Sequence, residues 1–417
     1  MTPTGAAASA PALPPGFADA LDARLLADDA LRAACYPGAP AGRQPVHTVY
    51  VPADRITPST VPEWGAAALA ALERHGPPPV PDLENVVAKV RAKLIDEPVE
   101  DLRIDLEDGY GPRPDEVEDT DACAAARALA AAVQQGVASP FCGLRVRSLE
   151  PATRRRSLRT LDLFFGALLA DGPLPSGFRV TLPKVSSVAQ VDAMVQVCLA
   201  LEAAYGLAAA ALRFEIQVEV PQAVLGPDGT ALVARMLGAS QGRCAGLHFG
   251  TYDYSAALGI AAPYQSMEHP AADHAKAVMQ LAAAGTGVPV SDGSTNVLPV
   301  GTTADVHAAW QLHARLVRRS LERGFYQGWD LHPAQLVTRF AATFTFFRDA
   351  LPVVSARLRA YVEREQTGIA DEPATAQALA GYLRRGMDAG AVDAAEVLAL
   401  TGLAAADIER LAARPSG

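Results

Sequence analysis

FRVTLPKVSSVAQVDAMVQVCLALEAAYGLAAAALRFEIQV, residues 178–218, decides the fold. It opens on a run of high β-propensity, 178–182 (FRVTL), and closes on another, 213–218 (RFEIQV). Between them, 188–204 is Ala-rich with helical apolar spacing, and Ser187 stands where an N-cap belongs. A strand, a helix and a strand within about 40 residues form a βαβ unit, because parallel strands need a crossover of this length.

The same alternation continues outward in both directions. Earlier runs are 47–51 (HTVYV), 102–106 (LRIDL) and 141–146 (FCGLRV); later ones are 245–249 (AGLHF), 287–290 (GVPV) and 328–331 (GWDL). Helices are predicted at 62–75, 115–134, 154–170, 231–238, 271–283, 304–323 and 333–350, with Pro62, Pro333 and Asp305 suited to first turns. Eight units make a closed (β/α)8 barrel of typically ~250 residues. The rival, an open doubly wound sheet, usually has a Gly-rich turn after its first strand. Here that turn reads Pro52-Ala53-Asp54-Arg55. The predicted architecture is therefore α/β: an N-terminal extension at 1–43, a (β/α)8 TIM barrel at 44–350 and an appended helical region at 351–417. The first unit carries an additional helix in PPPVPDLENVVAKVRAKL (77–94), and the extension a weak helix at 17–35. The last region, with a loop at 368–375, reads as a lid or an oligomer arm.

The 417 residues include 36 Lys+Arg and 46 Asp+Glu, a net charge of -10. That balance argues against nucleic-acid binding or a polybasic membrane patch. No apolar run approaches ~18 residues, so no membrane span is expected. The opening MTPTGAAASAPALPPG lacks the basic and apolar segments of a secretion signal and reads as a pliable tail. Five dispersed cysteines without a CxxC are expected to be buried thiols in a reducing cytoplasm.

In a (β/α)8 barrel, chemistry sits at the C-terminal ends of the strands. Those ends carry Asp54 and Arg55; Asp105, Glu107 and Asp108; Arg145 and Arg147; Lys184; Glu219 and Gln222; Asp253; Asp292; and His332. One polar residue after a strand is ordinary, but recurrence at all eight is hard to explain as solvation. Carboxylates without a His/Cys set favour a hard cation held by oxygen, Mg2+ or else Mn2+. Zinc is disfavoured, because His269 and His274 stand five apart with no HExxH. The GxSxG at 238–242 follows a helix and precedes a strand, the reverse of a nucleophile elbow, and reads as a helix-ending loop. Arg154-Arg155-Arg156 reads as a solvated face, and His248 as barrel interior.

The ordered set VYVPADR (49–55), RIDLEDGYG (103–111), LRVRSL (144–149), VTLPKV (180–185), VEVPQAVLG (218–226), HFGTYDYSAALG (248–259) and GWDLHPAQL (328–336) resembles the HpcH/HpaI aldolase/citrate lyase family, as a divergent branch. The resemblance implies a (β/α)8 barrel with C-terminal helices, usually oligomeric, that makes or breaks a carbon–carbon bond through an enolate with Mg2+. It implies Glu219 and Asp253 as metal ligands and Arg145 on the substrate's carboxylate or carbonyl oxygen. Glu107 and Asp108 would lie near the metal waters, and Lys184 inside the barrel mouth. Asp105 and Gln222 complete the expected substrate-binding set, and Asp108, Glu107, His332 or a metal-bound water would move the proton. The chain departs from the family at Glu219-Val220-Pro221, where Glu-Thr is common, and at Arg147, which replaces Asn. The expected function is a lyase or aldolase on a small oxo or hydroxy acid, in a cytoplasmic homo-oligomer. An acyl-CoA lyase or thioesterase, a phosphoenolpyruvate-utilising enzyme and a non-catalytic binding barrel stand as alternatives, and use of a CoA thioester stays open.

Overall fold

The computed structural model describes residues 13–39, 42–363 and 372–413. Its eight strands are β1 (His47–Pro52), β2 (Asp101–Asp105), β3 (Phe141–Arg145), β4 (Phe178–Leu182), β5 (Arg213–Val218), β6 (Cys244–Phe249), β7 (Val290–Ser291) and β8 (Gly328–Asp330). They pair in parallel in the order β7-β6-β5-β4-β3-β2-β1-β8. Across the remaining seam Asp292 N donates to the Gln327 carbonyl (2.9 Å) and Trp329 N to the Gly293 carbonyl (3.0 Å). The predicted (β/α)8 barrel is therefore what forms. β7 starts three residues later than expected, because Gly287 (φ +77°) is still turning the chain.

Alternation along the strands sorts side chains between wall and interior. In β5, Phe214, Ile216 and Val218 are buried in the apolar layer under the helices. Glu215, between them, meets Arg103 of β2, Thr181 of β4 and His248 of β6. β2 and β5 are not neighbours, so this contact crosses the barrel interior. That interior is a charged layer rather than the usual branched aliphatics. Gly143 makes room for it: a Cβ there would stand 1.9 Å from both Arg103 Nη1 and the Arg179 carbonyl oxygen.

The predicted helices form, with ends shifted by a few residues. Val188–Tyr205 is capped by the Ser187 hydroxyl and ended by Gly206 in the left-handed region. By length and composition it is the one described helix that could cross a membrane, and its Val191, Met194, Val195 and Cys198 are buried in the barrel core. The additional helix is Val87–Asp96. The helix expected from Pro333 starts at Gln335, after a turn in which Gln335 N donates to the His332 carbonyl, and runs on to Glu363. Arg156 is not solvated: it lies between two wall helices, bonded to Glu118 (3.1 Å) and Asp119. Cys142, Cys198 and Cys244 are buried as expected, but Cys35 is exposed on helix Phe17–Cys35, which buries no residue.

Helices Pro373–Asp388, Ala394–Thr401 and Ala405–Ala412 bury Leu379, Leu383, Val397 and Ile408 in one cluster with Phe340, Phe344 and Phe347. Arg384, Arg385 and Asp388 border the same small cavity as Val46, which precedes β1. The tail thus sits at the N-terminal end of the strands, opposite the expected site, and is not a lid. Of the tail expected at 1–16, residues 1–12 lie outside the described residues, as do 368–371 of the loop expected at 368–375, whose last three residues instead open helix Pro373–Asp388.

Candidate active site

Asp105, the last residue of β2, organises the turn that follows. Its carboxylate accepts from Glu107 N (3.0 Å) and Gly109 N (2.8 Å), and Gly109 has no room for a Cβ, which would fall 2.5 Å from Asp105 Oδ2. The same carboxylate takes Arg145 Nε (2.7 Å) and Nη2 (2.6 Å) from the end of β3. Asp105 borders the cavity, but both of its oxygens are engaged in orienting Arg145. The Arg145 guanidinium lies over the Tyr50 ring (4.6 Å), with Nη1 3.4 Å from Glu107.

Lys184 follows β4 with φ +53°, rare for a residue with a side chain. Its backbone N donates to Glu219 Oε1 (2.7 Å). Its ammonium meets Glu107, Asp108 (2.7 Å) and Asp253 (3.2 Å). Burial disfavours the charged ammonium, but Glu219, Glu107 and Asp108 outweigh it and hold the pKa above the ordinary lysine value. Burial likewise raises the Glu107 pKa; at Asp108 it is outweighed by the bond to Lys184, and the pKa falls. Glu219 is only 2% exposed, and burial pushes its carboxyl up to about 8. A Cβ at Gly250 would stand 2.4 Å from Glu219 Cβ and 2.5 Å from its Oε2, so the glycine leaves that carboxylate its space.

Asp108, Arg145, Glu219 and Asp253 line a cavity of about 490 Å3 at the C-terminal strand ends, together with Tyr50, Arg55 and Trp329. Two buried hydroxyls on its wall, Tyr50 Oη and Thr251 Oγ1, have no hydrogen-bond partner. A larger groove of about 600 Å3 lies on the outer wall, but its Arg315, Arg318 and Arg319 are each paired to carboxylates.

The structure brings together Glu107, Asp108, Arg145, Lys184, Glu219 and Asp253. Five of the strand-end residues stand apart. Gln222 is exposed on the short helix Pro221–Val224 and does not line the cavity. His332 is half-buried, its Nδ1 accepts from Ala334 N (3.2 Å), and burial lowers its pKa; its neighbour Leu331, not its ring, lines the cavity. Asp292 is buried against Lys276 (2.9 Å) and Ser320 (2.6 Å). Arg147 turns away to Glu118 (2.9 Å), and Asp54 pairs with Arg113 (3.3 Å). Tyr50 and Thr251 were not anticipated. Period-two spacing from Thr48 to Pro52, and the position directly after Gly250, were the available signals.

Among the described residues no group of three or more His, Cys, Asp or Glu side chains is arranged as a ready metal cage. The donor chemistry nevertheless fits a hard dication. Four carboxylates, Glu107, Asp108, Glu219 and Asp253, face one another with Lys184 as their shared cation, since Arg145 is committed chiefly to Asp105. The orphaned hydroxyls add neutral oxygens on the same wall.

No curated protein matches the chain in sequence. Among solved structures, malate synthase of Haloferax volcanii in its magnesium/glyoxylate complex is similar, with a TM-score of 0.51 and 13% identity over 89% of this chain and 98% of that one. CitE of Mycobacterium tuberculosis, in complex with magnesium, acetoacetate and coenzyme A, gives 0.46 and 18%, covering 87% and 99%. An HpcH/HpaI aldolase from Desulfitobacterium hafniense gives 0.38 and 14%, covering 79% and 96%. The resemblance carried by the motifs is thus met as a divergent likeness of fold, the barrel of malate synthase. A family model described as a domain of unknown function, DUF6986, matches residues 25–415, and the chain belongs to that family.

Proposed function

We propose that the chain is a Mg2+-dependent carbon–carbon bond lyase of the aldolase type, acting on a small 2-oxo or hydroxy acid through an enolate. The observation that carries this reading is the meeting of Glu219, Asp253 and Arg145 around one cavity at the strand ends. Held by Glu219 and Asp253, Mg2+ or Mn2+ would supply positive charge beside the substrate's carboxylate and carbonyl oxygens. Arg145 stays charged at any working pH, and its orientation is set in advance by Asp105. Charge developing on the substrate's enolate oxygen would therefore meet a donor that needs no reorganisation. Glu107, whose pKa is raised by burial, is the group assigned to hold and return a proton. Asp108, held ionised by Lys184, is the poorer acid. Tyr50 Oη and Thr251 Oγ1 offer hydrogen bonds to the substrate's carboxylate.

The test is proton exchange. Pyruvate is incubated with the protein and Mg2+ in heavy water, and loss of the methyl signal is followed by NMR. The expected result is exchange that stops with a chelator and in Glu219→Gln. Exchange at the wild-type rate in that variant would sink the proposal. The glyoxylate bound in the malate synthase makes it the first aldehyde partner to try.

An acyl-CoA donor is the second reading, and Arg55 favours it. This exposed guanidinium stands at the cavity rim and makes no ion pair among the described residues, as a phosphate-bearing donor would need. The same experiment with acetyl-CoA in place of pyruvate separates the two. The expected homo-oligomer belongs to this proposal, supported by the unburied helix Phe17–Cys35, and light scattering would measure it.

A further inference from the structure

We propose that Lys184 is the internal cation of the metal-free site, and that a divalent cation enters by displacing its ammonium from Asp253. This deepens the reading above and rests on its assignment of Glu219 and Asp253 to the metal.

Geometry places the lysine where the two cations would compete. Its ammonium lies 3.2 Å from Asp253 Oδ2 and is within bonding reach of Glu107 and Asp108. Its own backbone N–H occupies Glu219 Oε1. Both proposed ligands are thus engaged by one residue, whose left-handed backbone brings its N–H and its side chain to the same cluster. Lys184 and Arg145 are two positive charges among five carboxylates, Asp105 included, so a dication would balance them better.

The exchange needs no backbone movement. A lysine is a compact charge on a flexible four-carbon stem with three rotatable donors. The Asp253 contact is the longest of its three, and that carboxylate is 42% exposed at the rim. Released from Asp253, the ammonium keeps Glu107 and Asp108. The residue therefore acts as a positioning residue for those two carboxylates once the metal is bound, and as a stand-in for the metal before.

The experiment titrates Mn2+ into the full-length protein, follows the free-ion signal by electron paramagnetic resonance, and measures melting temperature with and without the metal. Lys184→Met removes the charge at similar length, Lys184→Gln is the second variant in case the first does not fold, and Lys184→Arg keeps the charge. Arg55→Met removes a charge from the cavity rim without touching the carboxylates. The expected result is Mn2+ binding at least about tenfold tighter in Lys184→Met or Lys184→Gln, with a lower metal-free melting temperature and a larger rise on saturation. Lys184→Arg and Arg55→Met should stay near wild type. Wild-type binding with no tightening in the neutral variants overturns the inference and leaves the metal reading standing. Equal tightening in Arg55→Met also overturns it, because a general field would then explain the effect. Binding only in the neutral variants overturns the displacement along with the native metal site, because the metal then never replaces the ammonium, and binding in neither refutes both.

Discussion

Arg103→Met tests the charged interior on which the site rests. Arg103 is fully buried, with Nη2 2.7 Å from Asp101 Oδ2 and 3.0 Å from Glu215 Oε2, and Nη1 3.1 Å from the Arg179 carbonyl. Burial alone would raise the Glu215 pKa, but Arg103 outweighs it and holds the carboxylate ionised; Asp101 remains raised by burial. Methionine fills similar volume and leaves two carboxylates without their main counter-charge. Breaking a buried pair in this way costs about 3–5 kcal/mol. With unfolding entropy of roughly 2.1 cal/mol/K per residue, the 417 residues give about 0.9 kcal/mol/K, so the melting temperature should fall by about 3–6 °C near neutral or higher pH. The pH dependence has a definite sign. In the wild type, Glu215 has a depressed pKa, so its contribution is present above the unfolded carboxylate value and is lost only in stronger acid. In the variant both carboxylates have raised pKa values, so the folded state binds more protons than the unfolded one in the window above the ordinary carboxylate value. The penalty is then full at about pH 8 and shrinks toward about pH 5. Calorimetry at both values measures the gap, with Arg235→Met as control, because its pair with Asp228 is exposed on both sides and worth little. A gap within about 1 °C at the higher pH, or one that does not narrow at the lower, would refute the reasoning.

Three further outcomes are expected. Asp105→Asn should cost about 3 kcal/mol, the low end for a broken buried pair because Glu107 lies 3.4 Å from Arg145, and should slow pyruvate exchange more than tenfold; calorimetry and the NMR assay read the two effects. Gly250→Ala forces a methyl onto Glu219, so Mn2+ binding should be lost at an overpacking cost of about 1–3 kcal/mol, and undiminished binding would count against Glu219 as a ligand. Tyr50→Phe removes a buried hydroxyl with no partner, so the melting temperature should hold or rise while KM for the acid substrate increases; a fall in stability with unchanged KM would mean the hydroxyl serves the fold instead.

The barrel was legible because its cues are local. Runs such as 178–182 and 213–218 have β-propensity in their own residues, and Ser187 and Thr302–Asp305 cap helices through groups a few residues apart. The strand-end carboxylates were legible because topology alone sends them to one rim. By contrast, Gln222 and His332 satisfy the same rule of position yet stand outside the cavity, since a turn of a few residues decides where a side chain points. The tail's place was not legible either, because an amphipathic helix reports that it has an apolar partner and not which one.

Sequence by itself thus determined the eight βα units, their order, and which strand ends bear charge, because period, propensity and capping act over short stretches of chain. Only the tertiary structure decided that Lys184, from the end of β4, lies among carboxylates from β2, β5 and β6. It alone decided that Arg103 and Glu215 meet across the interior, and that Asp105 is spent on Arg145. Those are distances between residues dozens of positions apart, set by the curvature and closure of the sheet, and no local pattern encodes them.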